Sequence, residues 1–347
     1  MSILTDLEIP VLQAPMAGTA TPALAAETSR AGALGGLGLA TAGAEQAAAM
    51  MAEVQARLGS NRYHVNLFCH RPAHADPARE AAWLDYLAPE FRRAGAEPPA
   101  ALREIFASFL VSEGVLEAVL AARPAMASFH FGLPRPDQLA ALRGTGALLA
   151  GSATSLAEGR AIRDAGLDAI IAQGYEAGGH RGIFRPEGED AQLPTMDLLR
   201  ALEPLGLPLV AAGGIMDGRD AVRFLDAGAV AVQMGTAFVA CPESAASAAH
   251  RARLGQPGQD TVMTSAISGR PARGFRNRLT DLGAAPEAPP LPDYPITYDA
   301  GKALAAAAGT DYAAQWAGTG SARARAMPAA ELAAALGREI AEARKTA

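Results

Sequence analysis

The sequence predicts a (β/α)₈ barrel, the TIM-barrel fold. Short apolar runs alternate with alanine-rich segments of helical length from residue 10 to about residue 250. Eight such runs occur, and eight is the number of strands that closes this barrel. Each run is apolar throughout, as expected for a parallel sheet covered by helices on both faces. A doubly wound open sheet is the alternative.

The predicted strands are the apolar runs themselves, which cover residues 11–14, 33–37, 63–67, 127–131, 147–151, 169–172, 209–212 and 229–233. Helices are predicted between most of them, at residues 21–31, 44–58, 115–122, 136–143, 155–165, 195–203 and 217–227. Several of these helices begin at a capping residue. Ser155 lies three residues before Glu158, a spacing that predicts a capping box.

Two segments interrupt the repeat. Residues 69–113 separate the third strand from its helix, and we expect them to form a partly helical insertion above one end of the barrel. Residues 251–347 follow the eighth unit with the loop-rich stretch APEAPPLPDYP and then alanine-rich helices. We therefore predict a barrel domain over residues 1–250 and a cap over residues 251–347 that contributes to the active site.

Composition argues against several classes of protein. Half of the 347 residues are hydrophobic, and the formal net charge is −6. No basic stripe with interleaved aromatic residues suggests nucleic-acid binding, and no long uninterrupted apolar stretch suggests a membrane span. The start MSILTDLEIP lacks the pattern of a signal peptide, so a cytoplasmic location is the expectation.

The histidines and cysteines give no support for a metal site. Cys69 and Cys241 are far apart and lack the CxxC spacing, so neither a disulfide nor a zinc site is predicted. His70 and His74 lie four residues apart, but Pro72 stands between them and opposes a helix.

Polar and glycine-rich residues fall together at one end of the predicted barrel. In this fold the active site lies at the C-terminal ends of the strands. The sequence places there Pro15–Met16–Ala17–Gly18, Asn66, His130, Ser152, Gln173, Gly213–Gly214 and the run Gln233–Met234–Gly235–Thr236. This coincidence is the main argument from the residues for a site.

The turns after the seventh and eighth strands, VAAGGIMDG and AVQMGTAF, favour a phosphate site. Glycine lets backbone N–H groups converge on an anion, and these two loops are the recurrent phosphate position in TIM barrels. Neither glycine turn contains lysine or arginine, so backbone amides would hold the phosphate. The alternative is that the glycines only form tight turns.

Three residues near these turns suit a flat heterocycle. Asn66 and Gln173 carry amides that both donate and accept hydrogen bonds, as a flavin ring requires, and the thioether of Met16 can pack on a planar ring. Each of them is alternatively an ordinary core residue.

His180 is the main catalytic candidate, since it follows the glycine-rich stretch QGYEAGG at the site end of the sixth strand. A loop histidine is otherwise usually just solvated. His130 lies between two phenylalanines, and the sequence leaves open whether it is a buried hydrogen-bonding residue or a substrate contact.

Seven motifs together resemble the nitronate monooxygenase family, formerly 2-nitropropane dioxygenase, of class I: VLQAPMAG, HVNLF, SFHFG, GSATSLAEG, QGYEAGGHRG, AAGGI and VQMGTAF. The tail SGRPARGFRNRL resembles the family as well. The resemblance implies an FMN-dependent (β/α)₈ barrel that oxidises alkyl nitronates with O₂ to a carbonyl compound and nitrite, without a metal or reduced nicotinamide.

The resemblance also implies roles for individual residues. His180 matches the catalytic histidine. The expected FMN-binding residues are Met16, Asn66, Gln173, Gly178, Gly214, Gln233, Met234, Gly235 and Thr236. The expected substrate-binding residues are His130, Tyr294, Tyr298 and Lys302. The last three are spaced four apart, as on one side of a helix, although Pro295 opposes a regular helix over the first turn.

Two other functions stay open at this stage. One is another FMN barrel, an NADH:quinone reductase or an enoyl-thioester reductase, and the other is a non-catalytic flavin or phosphate-binding protein. The sequence does not fix the physiological nitronate, for which propionate 3-nitronate is the expectation, or the choice between monomer and homodimer.

Overall fold

The barrel is built from eight parallel strands. In the computed structural model, which describes residues 3–346, these strands are hydrogen-bonded in the order β1-β9-β8-β6-β5-β4-β3-β2. Their bounds are β1 (Val11–Gln13), β2 (Gly36–Gly38), β3 (His64–Phe68), β4 (Met126–His130), β5 (Leu148–Ala153), β6 (Ala169–Gln173), β8 (Leu209–Ala212) and β9 (Ala231–Met234). A parallel bridge between Leu12 and Leu34 joins the two ends of this series. The predicted TIM-barrel fold is confirmed.

A small antiparallel sheet and thirteen helices complete the described part of the chain. The sheet has the order β10-β11-β7, with β7 (Gly179–His180), β10 (Thr261–Thr264) and β11 (Ala272–Phe275). The helices are α1 (Pro22–Arg30), α2 (Ala44–Leu58), α3 (Pro77–Arg93), α4 (Glu113–Ala122), α5 (Pro136–Arg143), α6 (Leu156–Asp164), α7 (Thr195–Leu202), α8 (Gly218–Asp226), α9 (Thr236–Val239), α10 (Ala248–Arg253), α11 (Arg278–Ala284), α12 (Ile296–Ala308) and α13 (Ala329–Thr346). Among residues 3–346, no helix is both long and apolar enough to cross a bilayer.

The predicted capping box of α6 forms only in part. Ser155 Oγ accepts the backbone N–H of Glu158, as an N-cap does. The Glu158 carboxylate does not return to Ser155. It accepts the backbone N–H of Thr154 and, from the loop after β7, that of Phe184. The carboxylate therefore ties this loop to α6.

The strands are buried on both sides. Leu12, Ile171 and Val210 belong to one cluster with other strand residues, whereas Val11, Ile170 and Ala211 pack in a second cluster with the surrounding helices. Alternate residues of a strand point to opposite faces. Two apolar faces per strand explain why the runs are apolar throughout.

The C-terminal helix α13 completes the ring of helices around the barrel. After β9 the chain forms only the one-turn helix α9, and α13 packs against both α8 and α1. Its Leu332, Leu336 and Ile340 belong to the same hydrophobic cluster as the barrel helices. The segment after residue 250 thus contributes both to the cap and to the outer layer of the barrel.

The insertion and the C-terminal segment pack on each other to form the cap. Trp83, Leu87 and Phe91 of α3 share a hydrophobic cluster with Ala300 and Leu304 of α12. The two halves of this cap come from parts of the chain about 200 residues apart, so sequence alone gives no direct sign that they meet.

Glu90 links the two halves of the cap by polar bonds. Its carboxylate accepts hydrogen bonds from Arg278 Nη2 at 2.7 Å and Tyr312 Oη at 2.6 Å, and its side chain is only 4% exposed. Burial raises the pKa of Glu90, but the hydrogen bonds from Arg278 and Tyr312 lower it more, so the net pKa lies below the usual value.

We expect Glu90→Ala to destabilise the protein by about 1–3 kcal/mol, because it leaves the Tyr312 hydroxyl without its acceptor. Denaturant unfolding measures this difference. The exposed Glu53, which pairs with Arg57 on the outside of α2, provides the control, since Glu53→Ala should change stability by less than about 0.5 kcal/mol. Equal losses from both variants would contradict this role of Glu90.

Candidate active site

A cavity of about 1300 Å³, part of it open to solvent, lies at the C-terminal ends of the barrel strands. The barrel supplies its floor and walls, and the cap covers it with Tyr294, Tyr298 and Trp316. Twelve of the residues expected in the site line this cavity: Met16, Asn66, His130, Gln173, Gly178, His180, Gly214, Gln233, Gly235, Thr236, Tyr294 and Tyr298.

Two expected site residues do not line the cavity. Met234 follows Gln233 on β9, so its side chain points to the other face of the strand, where it is 1% exposed within the outer core. Lys302 lies one turn beyond Tyr298 on α12 and is exposed, with Nζ 5.0 Å from the centroid of the Phe106 ring. For both residues, the structure argues against direct side-chain contact with a ligand in the cavity.

Sequence reasoning missed several residues of the site. Phe68, Trp316 and Gly318 line the cavity, and the buried Ser268 contacts His180. Trp316 is one of only two tryptophans in the chain and lies two residues before Gly318, which is a weak local signal. Trp316 forms an isolated antiparallel bridge with Gly274 of β11. Nothing in the sequence predicts this long-range pairing.

The glycine-rich stretch after β6 ends in a strand rather than in a free loop. Within β7, His180 pairs with Ala272 of β11. A Cβ atom on Gly178 would collide with the backbone of Gly318, so glycine is needed where these two segments touch. The backbone of His180 is therefore held in a sheet between barrel and cap.

Glu176 and Arg181, the charged residues around this stretch, are structural. Glu176 accepts hydrogen bonds from the backbone N and Oγ1 of Thr195 at 2.9 and 2.8 Å, at the start of α7. Arg181 is 2% exposed; it donates to the carbonyl of Gln173 and pairs with Asp190 at 2.8 Å. Both residues fix the turn that carries His180.

Two side chains hold the main chain at His180. Gln173 Nε2 donates to the His180 carbonyl at 2.9 Å, and Gln173 Oε1 accepts the N–H of Gly182 at 2.7 Å. His130 Nε2 lies 3.0 Å from the same carbonyl. A carbonyl can only accept, so His130 is protonated at Nε2. The buried, hydrogen-bonding arrangement of His130 is the one observed, although the ring also borders the cavity.

Aromatic side chains surround the imidazole of His180. The ring centroids of Trp316, Phe131, Tyr294 and Phe68 lie between 5.2 and 6.1 Å from that of His180. His180 Nε2 lies 2.9 Å from Ser268 Oγ. Within residues 3–346, the other ring nitrogen, Nδ1, has no hydrogen-bond partner, so it is the nitrogen available to a ligand.

The site is electrically neutral at pH 7. No aspartate, glutamate, lysine or arginine is among the lining residues. Burial, with smaller contributions from His130, Arg270 and His70, lowers the pKa of His180 to about 3. Burial also lowers the pKa of His130 to about 4 and raises that of Tyr294. Both histidines are therefore neutral imidazoles.

One positive charge lies directly behind the aromatic wall. Arg270 is 4% exposed, its guanidinium is 4.2 Å from the centroid of the Phe131 ring, and it donates to the carbonyls of Ile183 and Phe184. No carboxylate of residues 3–346 lies within salt-bridge distance of it, so its field favours an anion in the cavity.

The barrel wall offers two amides to a ligand. Asn66 Nδ2 donates to Ser128 Oγ at 2.7 Å, and Ser128 in turn meets His64 Nε2 at 2.6 Å. This chain of bonds leaves Asn66 Oδ1 as the free end of its amide. Gln233 Oε1 is buried and, among the described residues, has no hydrogen-bond partner.

The glycine turns after β8 and β9 form the end of the cavity away from His130. Gly213 and Gly214 have φ of 128° and 71°, conformations that favour glycine. Thr236, at the start of α9, accepts the backbone N–H of Gly318 at 2.9 Å. Within residues 3–346, no group of three or more histidine, cysteine, aspartate or glutamate side chains is arranged to hold a metal.

Comparison with known proteins identifies the family of this chain. The family model described as "Nitronate monooxygenase" matches residues 1–339. A nitronate monooxygenase of Pseudomonas aeruginosa is 52% identical over 97% of both chains. One of Paraburkholderia phytofirmans is 49% identical over 97% of this chain and 93% of the other.

Solved structures of other proteins also resemble this chain in fold. A nitroalkane oxidase from Streptomyces ansochromogenes has a TM-score of 0.90 at 35% identity, covering 99% of each chain. FabK from Thermotoga maritima has a TM-score of 0.74 at 23% identity over 100% of this chain and 98% of the other, which shows a shared fold. With the family model matching almost the whole length and with relatives this similar, the chain belongs to the nitronate monooxygenase family of enzymes.

Proposed function

We propose that this enzyme uses FMN to oxidise alkyl nitronates, such as propionate 3-nitronate, with O₂ to a carbonyl compound and nitrite. Family membership supports the reaction class. The observation that carries the proposal is the cavity itself, where the available nitrogen of His180 faces a neutral, largely aromatic space bordered by a free amide and two glycine turns. No metal enters the proposal.

The cavity fits FMN. The buried Gln233 Oε1 needs a donor, which an N–H of the flavin ring provides, and Asn66 presents a second amide. Met16 and Ile171 offer apolar surface for the ring. The phosphate would lie at Gly214, Gly235 and Thr236, with Gly178 close by. Bound there, FMN supplies the electron acceptor for the nitronate and the reductant for O₂.

Two expected FMN residues would act indirectly. Both ends of the Gln173 amide bind the main chain around His180, so Gln173 would fix the wall beside the cofactor. The Met234 carbonyl accepts the N–H of Ala14, so Met234 would hold the β1 and β9 strand ends at the correct separation.

The protein orients an anionic substrate over the cofactor. His180 would hold the nitronate, and the aromatic side chains around it would exclude water. Exclusion of water strengthens the hydrogen bonds within the site. Tyr294 and Tyr298 would place their hydroxyls near the substrate and His130 would border it. Lys302 would act at a distance, by drawing anions towards the opening beside Tyr298.

The decisive experiment is an assay of the purified protein. We expect the absorbance of an oxidised flavin, and nitrite release from propyl-3-nitronate with O₂ and without NADH. Steady NADH oxidation with a quinone or an enoyl thioester, and no nitrite, would instead assign the second FMN-barrel activity. A protein that binds FMN but passes electrons to no acceptor would be a flavin-binding protein only.

Gln233→Leu tests the cofactor position. We expect FMN affinity to fall about tenfold, since a hydrogen bond within a buried site is worth about 1–1.5 kcal/mol. The apoprotein should be at least as stable as wild type, because the variant removes a buried unpartnered oxygen. Fluorescence titration with FMN and denaturant unfolding of the apoprotein measure the two effects.

Gln13 provides a matched control. It is a fully buried barrel glutamine, whereas Gln233 is partly exposed and has a buried Oε1. The Oε1 of Gln13 accepts the N–H of Gly36 at 2.9 Å. Gln13→Leu should destabilise the apoprotein, in contrast to Gln233→Leu. If Gln233→Leu bound FMN as tightly as wild type, the amide would have no contact with the cofactor.

A further inference from the structure

Ser268 is a buried residue of the segment before β11 that contacts the candidate catalytic histidine. Its side chain is 0% exposed. Its Oγ has three neighbours, namely His180 Nε2 at 2.9 Å, the carbonyl of Arg270 at 3.2 Å and the N–H of Arg270 at 3.3 Å. A serine hydroxyl has only one proton, so it can donate to only one of the first two.

The distances decide which of them receives the proton. Hydroxyl-to-oxygen hydrogen bonds in proteins measure about 2.5–3.0 Å, and the Arg270 carbonyl lies beyond this range. His180 Nε2 lies within the distance of a good hydrogen bond. The Arg270 N–H, at 3.3 Å, is also beyond the usual N–H···O range, so the contact with His180 is the one good hydrogen bond of Oγ.

The direction of this bond determines where His180 carries its proton. Because its low pKa keeps the imidazole neutral at pH 7, the ring has a single N–H. If Ser268 donates to Nε2, that N–H is at Nδ1, the nitrogen without a protein partner. The alternative tautomer would present a lone pair to the cavity, which repels an anion.

We propose that Ser268 is a positioning residue that donates its hydroxyl proton to His180 Nε2 and so fixes the Nδ1–H tautomer, which presents a donor to an anionic substrate. Ser268 does not itself touch the substrate. The inference deepens the proposed function, on which its catalytic consequence rests. The tautomer itself is independent of that function.

With this arrangement, the two cavity histidines carry their single proton on different ring nitrogens. His130 is protonated at Nε2 because its partner is a carbonyl, whereas His180 would be protonated at Nδ1 because its partner is a hydroxyl that donates. A neutral imidazole donor suits a nitronate, since it can bind negative charge without first taking up a proton.

The direct test is nitrogen-15 NMR of the FMN-loaded enzyme labelled in its histidines, with the His180 signals assigned by their loss in His180→Asn. We expect Nδ1 of His180 to carry the proton and Nε2 to be unprotonated at pH 7.5. A spectrum with the proton at Nε2 would overturn the proposal, whatever the activity of the enzyme.

Variants of Ser268 test the consequence. Ser268→Ala should lower the fraction of the Nδ1–H tautomer and reduce kcat/KM for propyl-3-nitronate at least tenfold, with FMN absorbance retained. Ser268→Thr keeps the hydroxyl and should restore both properties. Ser29, a buried serine on α1 that accepts the N–H of Gly35, gives the control Ser29→Ala, which should change neither.

The outcomes separate the proposal from the function on which it rests. An unchanged tautomer in Ser268→Ala would refute the role of Ser268. A shifted tautomer with unchanged kcat/KM would refute its catalytic consequence. Absence of nitrite release by the wild-type enzyme would refute the proposed function and leave the NMR result to be judged separately.

Discussion

His180→Asn is expected to reduce nitrite release from propyl-3-nitronate about ten- to a hundredfold. A hydrogen bond to a charged group contributes roughly 1.5–3 kcal/mol, which corresponds to this range. FMN should stay bound, because the proposed role of the His180 ring is to bind the substrate and because its main chain is held by Gln173 and His130. Steady-state nitrite assays and the flavin absorbance of the purified variant measure the two effects.

The control for this prediction is His74→Asn. His74 is exposed on the insertion and does not line the cavity, so its replacement should leave the kinetics unchanged. Wild-type kinetics in His180→Asn would show that His180 has no role in the reaction. Loss of the yellow colour in that variant would instead indicate a role in binding FMN.

The sequence predicted the barrel well because its signals are local. Strand 209–212 and helices 44–58 and 136–143 have the predicted bounds. The least accurate strand is β2, predicted at 33–37 and observed at Gly36–Gly38. Gly35 packs directly against the backbone of Ala25, so the regular ladder begins only after it, and Leu34 pairs by a single bridge.

Site residues that lie at the ends of strands could be predicted from the sequence. Site residues that reach the cavity only through long-range packing could not. Asn66, Gln173 and Gln233 stand at the ends of strands, so the fold alone brings them together. Ser268 reaches His180 from 88 residues away, through the pairing of β7 with β11. The motif SGRPARGFRNRL begins at Ser268, but it gives no sign that this serine contacts His180.

The direction in which each amide or imidazole points is also beyond sequence reasoning. Gln173 was expected to bind the cofactor directly, whereas both ends of its amide bond the main chain. Lys302 has the expected spacing from Tyr298, yet one turn of α12 carries it to the exposed side. Spacing identifies the helix face only when the position of the helix is known.

Mild acid is expected to destabilise the protein strongly, because the fold holds five histidines in the neutral form, four of them buried and His180 partly buried at the cavity. Burial lowers the pKa of His64 and His180 to about 3, and that of His70, His130 and His250 to about 4. In the unfolded chain each returns to about 6.5. Between these values the unfolded state binds more protons, so stability falls as the pH falls.

The expected loss is large compared with ordinary stability. At about pH 5.5 each such group favours unfolding by roughly 1 kcal/mol relative to pH 8, so that together they remove several kcal/mol, against about 5–15 kcal/mol for a typical domain. Glu90 and Asp190, whose pKa values are lowered, lose their contribution only at lower pH, since their unfolded values are about 4.

Denaturant midpoints between pH 8 and pH 5.5, at a constant excess of FMN, measure this dependence. The fall should begin near pH 6.5 and steepen below it. His250 does not itself line the cavity, and among residues 3–346 its Nε2 has no hydrogen-bond partner, so His250→Gln should reduce the slope by about one fifth. A midpoint that stays constant down to pH 5.5 would mean that these imidazoles titrate in the folded protein, and the neutral site proposed for nitronate binding would then carry positive charge.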